Sequence, residues 1–193
     1  MDLTKFAAEV GPPEAGAVTI AGLSTRGGAV SGVRRVCAPS GIDWLQADEM
    51  TVACGAATPV AELAAALAEV GQGVALPAAD AGSSAVGGGP VRGGTVGGAL
   101  AVGRSGIRRL GDGPVRNVLL QADYVSAAGE VITAGGPTVK NVSGFDICRL
   151  LVGSEGSLGF IGAVILRTRP LAATSRWFTT ARDPWLTLAA LYR

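Results

Sequence analysis

Glycine clusters divide this chain into short segments, and they limit the folds that it can adopt. Of 193 residues, 30 are glycine, roughly twice the usual share. Glycine is favoured where the backbone turns sharply or where another group approaches the main chain closely. The clusters lie at 22–32, 82–106, 111–113, 135–136 and 153–162. We therefore expect short strands and helices, connected by turns at these positions.

Five short apolar segments between the clusters have the length of β-strands. They comprise residues 17–21, 50–54, 118–125, 131–133 and 161–166. Two helices are also predicted. The first begins after residue 58, and the second begins near Gly94 or Thr95 and continues through the small residues that follow. Together with the strands, these helices predict an α+β fold.

That first helix has clear signals at both ends. Thr58 is a candidate N-cap, Pro59 suits the first helical position, and Gly71 would end the helix. The helical spacing of apolar residues predicts one buried face. This face comprises Val60, Leu63, Ala64, Leu67 and Val70.

Composition excludes several classes of function. The chain carries 16 Lys and Arg against 15 Asp and Glu, a formal net charge of +1, so no large field points to nucleic acid or an anionic membrane. With 48% hydrophobic residues, it can bury one core, or two small lobes that share a cleft. The N-terminal residues lack the apolar length of a signal peptide, and no run of about 18 apolar residues could span a bilayer. We expect a cytoplasmic protein.

Histidine is absent from the sequence, which excludes it as general base, metal ligand or covalent attachment point. The cysteines, Cys37, Cys54 and Cys148, form no C-x-x-C pair. This spacing argues against a zinc site or a redox dithiol. We therefore predict no metal site, and we expect all three cysteines to be small buried residues.

Several motifs occur in a fixed order and together resemble one family. They are Thr-Val-Gly-Gly at 95–98, the arginine-rich segment 108–116, Lys-Asn-Val-Ser-Gly-Phe-Asp at 140–146 and the glycine-rich run at 150–161. Over residues 18–170 the chain resembles the FAD-binding domain of the vanillyl-alcohol oxidase and p-cresol methylhydroxylase (PCMH) superfamily. Within it, the nearest resemblance is to the FAD-binding subunit of bacterial glycolate oxidase.

The resemblance implies a two-lobed PCMH-type domain over residues 1–170, with FAD held noncovalently between the lobes. In relatives a substrate-binding cap domain begins near residue 170, so here the cap is expected to be absent or truncated. Residues 171–193 would then be a docking element or a remnant of the cap. Two of the three tryptophans lie in this tail, and aromatic residues favour interfaces.

The segment after the first strand is a candidate pyrophosphate loop. Read from residue types alone, residues 24–32 are either a tight surface turn or a set of N–H groups that converge on an anion. The resemblance implies the second role, carried by Thr25, Arg26, Gly27, Gly28 and Ala29.

The resemblance also implies cofactor contacts further along the chain. These residues are Pro77, Thr95, Gly97, Gly98, Ser105, Gly106, Gly159 and Ile161. For the pair of glycines at 97 and 98, a close helix crossing is the alternative. Arg108, Arg109 and Arg116, with Asp112, suit either a solvated face or internal ion pairs, or a role in orienting the flavin lobe or docking a partner subunit.

Acid–base chemistry finds little support in the sequence. Lys140 and Asp146 are the one candidate pair in the central motif, and an ion pair or a helix N-cap by Asp146 explains them better. The catalytic residues are therefore unknown. Relatives place catalytic histidines on a larger flavoprotein subunit or beyond the FAD domain.

The resemblance therefore implies a noncovalent FAD-binding subunit of a multi-subunit 2-hydroxy acid dehydrogenase or oxidase of the glycolate type. Its partners would be the larger flavoprotein and an iron-sulfur subunit, and these could attach it to the inner face of the membrane. Two alternatives stay open. One is a self-contained small flavoprotein oxidoreductase that acts as a homodimer, and the other is a scaffold subunit that has lost FAD.

Overall fold

The computed structural model describes residues 1–23, 30–77, 93–106, 108–137, 145–174 and 176 of the chain. Within these residues the helices are α1 (Thr4–Val10), α2 (Val60–Glu69), α3 (Val96–Val102), α4 (Arg109–Asp112) and α5 (Ile147–Leu151). The strands are β1 (Val18–Ile20), β2 (Arg34–Val36), β3 (Ile42–Gln46), β4 (Thr51–Gly55), β5 (Gln72–Gly73), β6 (Leu119–Val125), β7 (Val131–Gly135), β8 (Phe160–Arg167) and β9 (Arg169–Pro170). Short 3₁₀ turns lie at Pro13–Ala15 and Val115–Asn117. The predicted α+β class is confirmed.

A five-stranded antiparallel sheet forms the centre of the fold, in the order β3-β4-β8-β6-β7. The middle strand, β8, pairs with β4 from Arg167 opposite Thr51 to Ala163 opposite Gly55. Its other edge pairs with β6, which continues through a turn into β7. Because β8 is paired on both edges and is mostly buried, its unbroken run of apolar residues is explained.

The helices pack their apolar sides onto this sheet. Helix α3 contacts β8, and α5 contacts β6 and β7. Fully buried leucines from three helices join the strands in one core; they are Leu63, Leu67, Leu100 and Leu151. Truncating such a side chain to alanine typically costs about 2–5 kcal/mol, so these four positions hold the helices in place.

Two small sheets complete the fold. Strands β1 and β2 run parallel, whereas β5 and β9 pair antiparallel. Arg34 of β2 donates hydrogen bonds to the carbonyl oxygens of Glu9 and Val10, at 2.7 and 3.0 Å. The last carbonyls of a helix have no partner within the helix, so Arg34 caps α1 and fixes it to the parallel pair.

Most of the predicted elements are confirmed. The five predicted strands correspond to β1, β4, β6, β7 and β8, and the second predicted helix is α3, preceded by Thr95. Tyr124 is buried in β6. Asp146 accepts a hydrogen bond from the N–H of Arg149 at 3.1 Å, so its predicted role as N-cap, here of α5, is also confirmed.

The first predicted helix needs two corrections. Thr58 is not the N-cap of α2; Pro59, which was predicted as the first helical residue, holds that position, and the helix begins at Val60. The buried hydroxyl of Thr58 instead accepts a hydrogen bond from the N–H of Gly41 at 2.9 Å and donates one to the Gly41 carbonyl at 3.2 Å. Val70, predicted on the buried face, is exposed. The helix has ended there, and Gly71 follows with φ +68°.

All three cysteines were predicted to be buried, and this is correct for two of them. Cys54 and Cys148 are buried, but Cys37 is exposed, because it follows the last residue of β2 and its side chain lies outside the core. Burial raises the pKa of the Cys54 thiol to about 12 and that of Cys148 to about 11. Both buried thiols are therefore protonated near neutral pH.

Beyond β9 the structure describes only residues 171–174 and Arg176. The described part of the chain thus contains no cap domain. Among its helices, none has the length and apolar character needed to cross a bilayer. Nor do the described residues include a group of three or more Cys, Asp or Glu side chains placed to hold a metal ion.

Candidate functional site

The start of α3 meets the end of β1, and this meeting point is the centre of the candidate site. Thr95 precedes α3 in an extended conformation, and its Oγ1 accepts a hydrogen bond from the N–H of Gly98 at 3.2 Å. A Cβ atom placed on Gly22 would lie 3.8 Å from Thr95 Oγ1. The chain just after β1 therefore runs beside the Thr95 hydroxyl.

The predicted pyrophosphate loop begins close to this point. Its residues Thr25, Arg26, Gly27, Gly28 and Ala29 lie outside the described residues. The chain enters that segment immediately after residues 22 and 23, beside Thr95. Gly22 and Thr95, about seventy positions apart in sequence, are thus neighbours in space.

Gly97 serves the fold. Its N–H donates to the carbonyl oxygen of Ala56 at 2.8 Å, and a Cβ atom on Gly97 would lie 2.7 Å from Ala56 Cβ. Only glycine allows the helix to approach Ala56 this closely. Gly98 differs from Gly97. A Cβ atom on Gly98 would lie 3.1 Å from Thr95 Oγ1, the nearest atom outside its own stretch of helix. At Gly97 the close helix crossing considered from the sequence is present.

Ala56 connects α3 to the central sheet. It follows β4, and its N–H donates to the carbonyl oxygen of Gly162 in β8 at 2.8 Å. The N–H of Val96 donates to the carbonyl oxygen of Thr58 at 2.9 Å. The last residue of β4 to pair with β8 is Gly55, which lies opposite Ala163. The first residues of β8, from Phe160 to Gly162, therefore extend past the end of β4, and Gly162 bonds to Ala56 there.

Gly159 and Ile161 lie at this end of β8. A Cβ atom on Gly159 would lie 2.6 Å from Cδ2 of Tyr124, and Ile161 pairs with Tyr124 across the β6–β8 ladder. The Ile161 side chain is buried. The structure therefore gives both residues a packing role, which leaves only backbone groups for any contact with a ligand.

Pro77, Ser105 and Gly106 are the remaining predicted cofactor contacts that the structure describes. Pro77 is half-buried and follows the buried Leu76, and among the described residues no hydrogen bond joins it to Thr95. Ser105 Oγ accepts a hydrogen bond from the N–H of Val115 at 3.3 Å, which holds the chain after α3 against the 3₁₀ turn. A Cβ atom on Gly106 would meet open space.

Two close backbone contacts near the site were missed from the sequence. A Cβ atom on Gly103 would lie 2.9 Å from Cα of Gly153, and the N–H of Gly153 donates to the Leu100 carbonyl at 3.0 Å. Gly55 packs directly against the backbone of Pro39. Glycine clustering was the available signal, but it does not tell which two clusters meet.

The charged motifs form ion pairs. Asp112 pairs with Arg169 of β9, and Asp146 pairs with Nε of Arg149 at 2.9 Å. Lys140 lies outside the described residues. The described contacts of Thr95 include those with Gly22, Gly98 and Pro59, so this part of the site offers a hydroxyl and bare backbone, which suit binding rather than proton transfer.

Comparison with known proteins relates the chain to flavin-linked oxidoreductases, although no protein-family model matches it. It is 45% identical over 76 residues to D-lactate dehydrogenase of Archaeoglobus fulgidus (39% of this chain, 17% of the relative). It is 33% identical over 122 residues to glycolate oxidase subunit GlcE of Escherichia coli (63% and 32%). It is 34% identical over 76 residues to an uncharacterized FAD-linked oxidoreductase of Mycobacterium tuberculosis (39% and 17%). The aligned segments span a third or less of these relatives.

The fold is shared with a solved structure. Alkyldihydroxyacetonephosphate synthase superposes with a TM-score of 0.62 at 18% identity, over 83% of this chain and 30% of that one. At this identity the match concerns the fold. The sequence relatives agree with the resemblance that the motifs predicted: the chain is similar to glycolate oxidase and FAD-linked oxidoreductase chains, and it shares its fold with alkyldihydroxyacetonephosphate synthase.

Proposed function

We propose that this chain binds FAD noncovalently and serves as the FAD-binding subunit of a multi-subunit 2-hydroxy acid dehydrogenase or oxidase of the glycolate type. The observation that supports this most is the meeting of Gly22 and Thr95. Gly22, shortly before the predicted pyrophosphate loop, lies beside the Thr95 hydroxyl. Since Thr95 Oγ1 accepts its hydrogen bond from the N–H of Gly98, the hydroxyl proton can be donated to a ligand. A hydroxyl donor beside bare backbone is suited to a phosphate oxygen.

Residues of the chain divide the binding between them. In this proposal the N–H groups of residues 25–29 hold the pyrophosphate, and the Thr95 hydroxyl and the backbone at Gly98 contact the cofactor. Pro77, Ser105 and Gly106 line the path of the cofactor, and the backbone at Gly159 and Ile161 contacts its adenine end. The domain comprises residues 1–170, and residues 171–193 dock onto a partner.

The substrate class follows from the relatives' names. Glycolate and D-lactate are both 2-hydroxy acids, and proteins named for each are related to this chain. Bound FAD would accept two electrons from such a substrate. The chain contains no histidine, so in this proposal a partner supplies the catalytic base. The partners are the larger flavoprotein and an iron-sulfur subunit, in the cytoplasm or at the inner face of the membrane.

A visible absorption spectrum of the purified protein, before and after denaturation, tests the proposal. We expect flavin bands, and we expect the flavin to stay in solution when the denatured protein is precipitated. Flavin that precipitates with the protein would contradict noncovalent binding. A colourless protein that also fails to bind added FAD would contradict the cofactor assignment and favour the scaffold alternative. Turnover of a 2-hydroxy acid without partners would favour the self-contained enzyme.

Variants at Thr95 test the site itself. Thr95→Val removes the hydroxyl, whereas Thr95→Ser keeps it. Since one neutral hydrogen bond contributes roughly 0.5–1.5 kcal/mol, we expect Thr95→Val to weaken FAD binding about two- to twelvefold, and Thr95→Ser to have little effect. Thr133→Val is the matched control, because the Thr133 hydroxyl bonds to Asp123 on an exposed part of the sheet. Equal affinities for all three variants would exclude a contact by Thr95.

A further inference from the structure

A basic surface around α4 has no role in the proposed cofactor site. It comprises Arg104, Arg109, Leu110 and Arg116, and we call it the arginine face. All four side chains are exposed, and Leu110 is 90% exposed. The almost fully exposed Leu110 contributes nothing to the core of the isolated chain, and it adds one apolar side chain to a surface of cations.

The residues of the arginine face are held together by the backbone. Arg104 precedes Ser105, whose Oγ accepts a hydrogen bond from the N–H of Val115 at 3.3 Å. Val115 is buried and anchors the 3₁₀ turn that carries Arg116. The N–H of Arg109 donates to the Gly106 carbonyl at 3.1 Å. The three arginines therefore belong to one compact segment.

The local acids leave the charge of this surface uncompensated. Asp112, the acidic residue of α4, is engaged by Arg169 of β9. The carboxylate that precedes α5, Asp146, is engaged by Arg149 at 2.9 Å. Among the described residues, no carboxylate forms an ion pair with Arg104, Arg109 or Arg116. An acidic partner would complement this surface.

The neighbouring helix adds apolar area. Helix α5 packs against the 3₁₀ turn that carries Arg116. Phe145, just before α5, is 92% exposed, and Leu150 within it is 61% exposed. Large apolar residues together with arginine are typical of protein–protein interfaces, whereas lysine is depleted there. All the cations of the arginine face are arginine.

We propose that the arginine face docks an acidic protein surface that presents an apolar pocket to Leu110. A nucleic acid fits less well, because the chain as a whole carries a formal net charge of only +1. A membrane surface also fits less well, since α4 has four residues and a single large apolar side chain, far from the extended apolar face of a membrane-bound helix.

Site-specific photo-crosslinking in the source cells tests this proposal. The full chain is expressed with Leu110→p-benzoylphenylalanine, irradiated, and the crosslinked peptide is identified by mass spectrometry. We expect a peptide from another protein, with more Asp and Glu than Lys and Arg. The same substitution at Val131, an exposed residue of β7, is the control and should not yield this crosslink.

Charge reversal then tests the role of the arginines. Arg109→Glu and Arg116→Glu should each reduce the crosslink at least about fivefold, whereas Arg35→Glu, at an exposed position of β2, should leave it unchanged. A synthetic copy of the crosslinked acidic peptide should bind the wild-type chain more weakly as salt is raised. Circular dichroism confirms that each variant is folded.

Several outcomes would overturn the proposal. These are crosslinks to nucleic acid, to lipid, to a second copy of the chain or to a basic segment, and the absence of any crosslink specific to position 110. A crosslink that survives both charge reversals would also overturn it. The test does not depend on FAD, so its outcome is independent of the proposed function.

Discussion

The contact between Gly97 and Ala56 gives a quantitative prediction for the substitution Gly97→Ala. The new Cβ would lie 2.7 Å from Ala56 Cβ and 3.1 Å from the Ala56 carbonyl oxygen. Both atoms belong to a short connection that is itself hydrogen-bonded to β8 through Gly162. The helix must therefore move away from Ala56, and the hydrogen bond from the Gly97 N–H at 2.8 Å is weakened.

The expected change in the free energy of unfolding follows from three contributions. Overpacking in a well-packed region costs about 1–3 kcal/mol, and loss of the hydrogen bond costs about 0.5–1.5 kcal/mol. Replacing glycine by alanine within a helix stabilises the folded protein by about 0.5–1 kcal/mol, which offsets part of this cost. We expect Gly97→Ala to destabilise the protein by about 0.5–4 kcal/mol. Urea denaturation followed by circular dichroism measures this change, provided that the slope against urea is unchanged.

Gly111→Ala is the matched control. Gly111 lies within α4, and a Cβ atom there would have no neighbour within 4 Å. The same chemical change should therefore leave stability unchanged or raise it by up to about 1 kcal/mol. If Gly97→Ala proves as stable as Gly111→Ala, the close approach of α3 to Ala56 is not a feature of the folded protein.

Three further predictions concern buried groups. Thr58→Val removes both hydrogen bonds with Gly41 and should cost about 1–3 kcal/mol, because the N–H of Gly41 loses its partner, although its carbonyl keeps the hydrogen bond from the N–H of Gly55; an unchanged urea midpoint would contradict this. Iodoacetamide should modify Cys37 in the native protein, and Cys54 and Cys148 only after unfolding, as mass spectrometry can show. The two buried thiols should not affect the free energy of unfolding below pH 9. That free energy should fall as pH rises from 9 toward 11, because the thiols of the unfolded chain lose their protons first. In the Cys54→Ala, Cys148→Ala double variant, the free energy of unfolding should fall less steeply with pH.

Local patterns predicted the strands with continuous apolar sequence, but not those defined by pairing. Strands β4, β6, β7 and β8 lie between glycine clusters and were found. Strand β2, with two exposed arginines followed by Val36, has no apolar run, and it exists because it pairs in parallel with β1. Such a pairing depends on residues some sixteen positions away, which periodicity within a segment cannot detect.

Side-chain roles were harder to predict than positions. Thr58 has the residue type and the place of an N-cap, yet its hydroxyl bonds to Gly41 of a neighbouring loop. Cys37 resembles the other cysteines in sequence, but the core excludes it. In both cases the outcome depends on a tertiary contact. The capping role of Asp146 could be predicted because it involves the residue's own helix.

The glycines of the candidate site also differ in whether a tertiary contact requires them. Gly97 and Gly159 are required because Ala56 and Tyr124 occupy the space of a side chain, so each would be glycine whether or not a cofactor binds. Gly22 and Gly98 have no such neighbour within 3 Å, and both lie beside the Thr95 hydroxyl. If the proposed function is correct, a substitution at Gly97 should alter stability first and FAD affinity only as a consequence. Thr95→Val should alter FAD affinity in protein that is still folded, and this contrast distinguishes a binding site from a closely packed helix crossing.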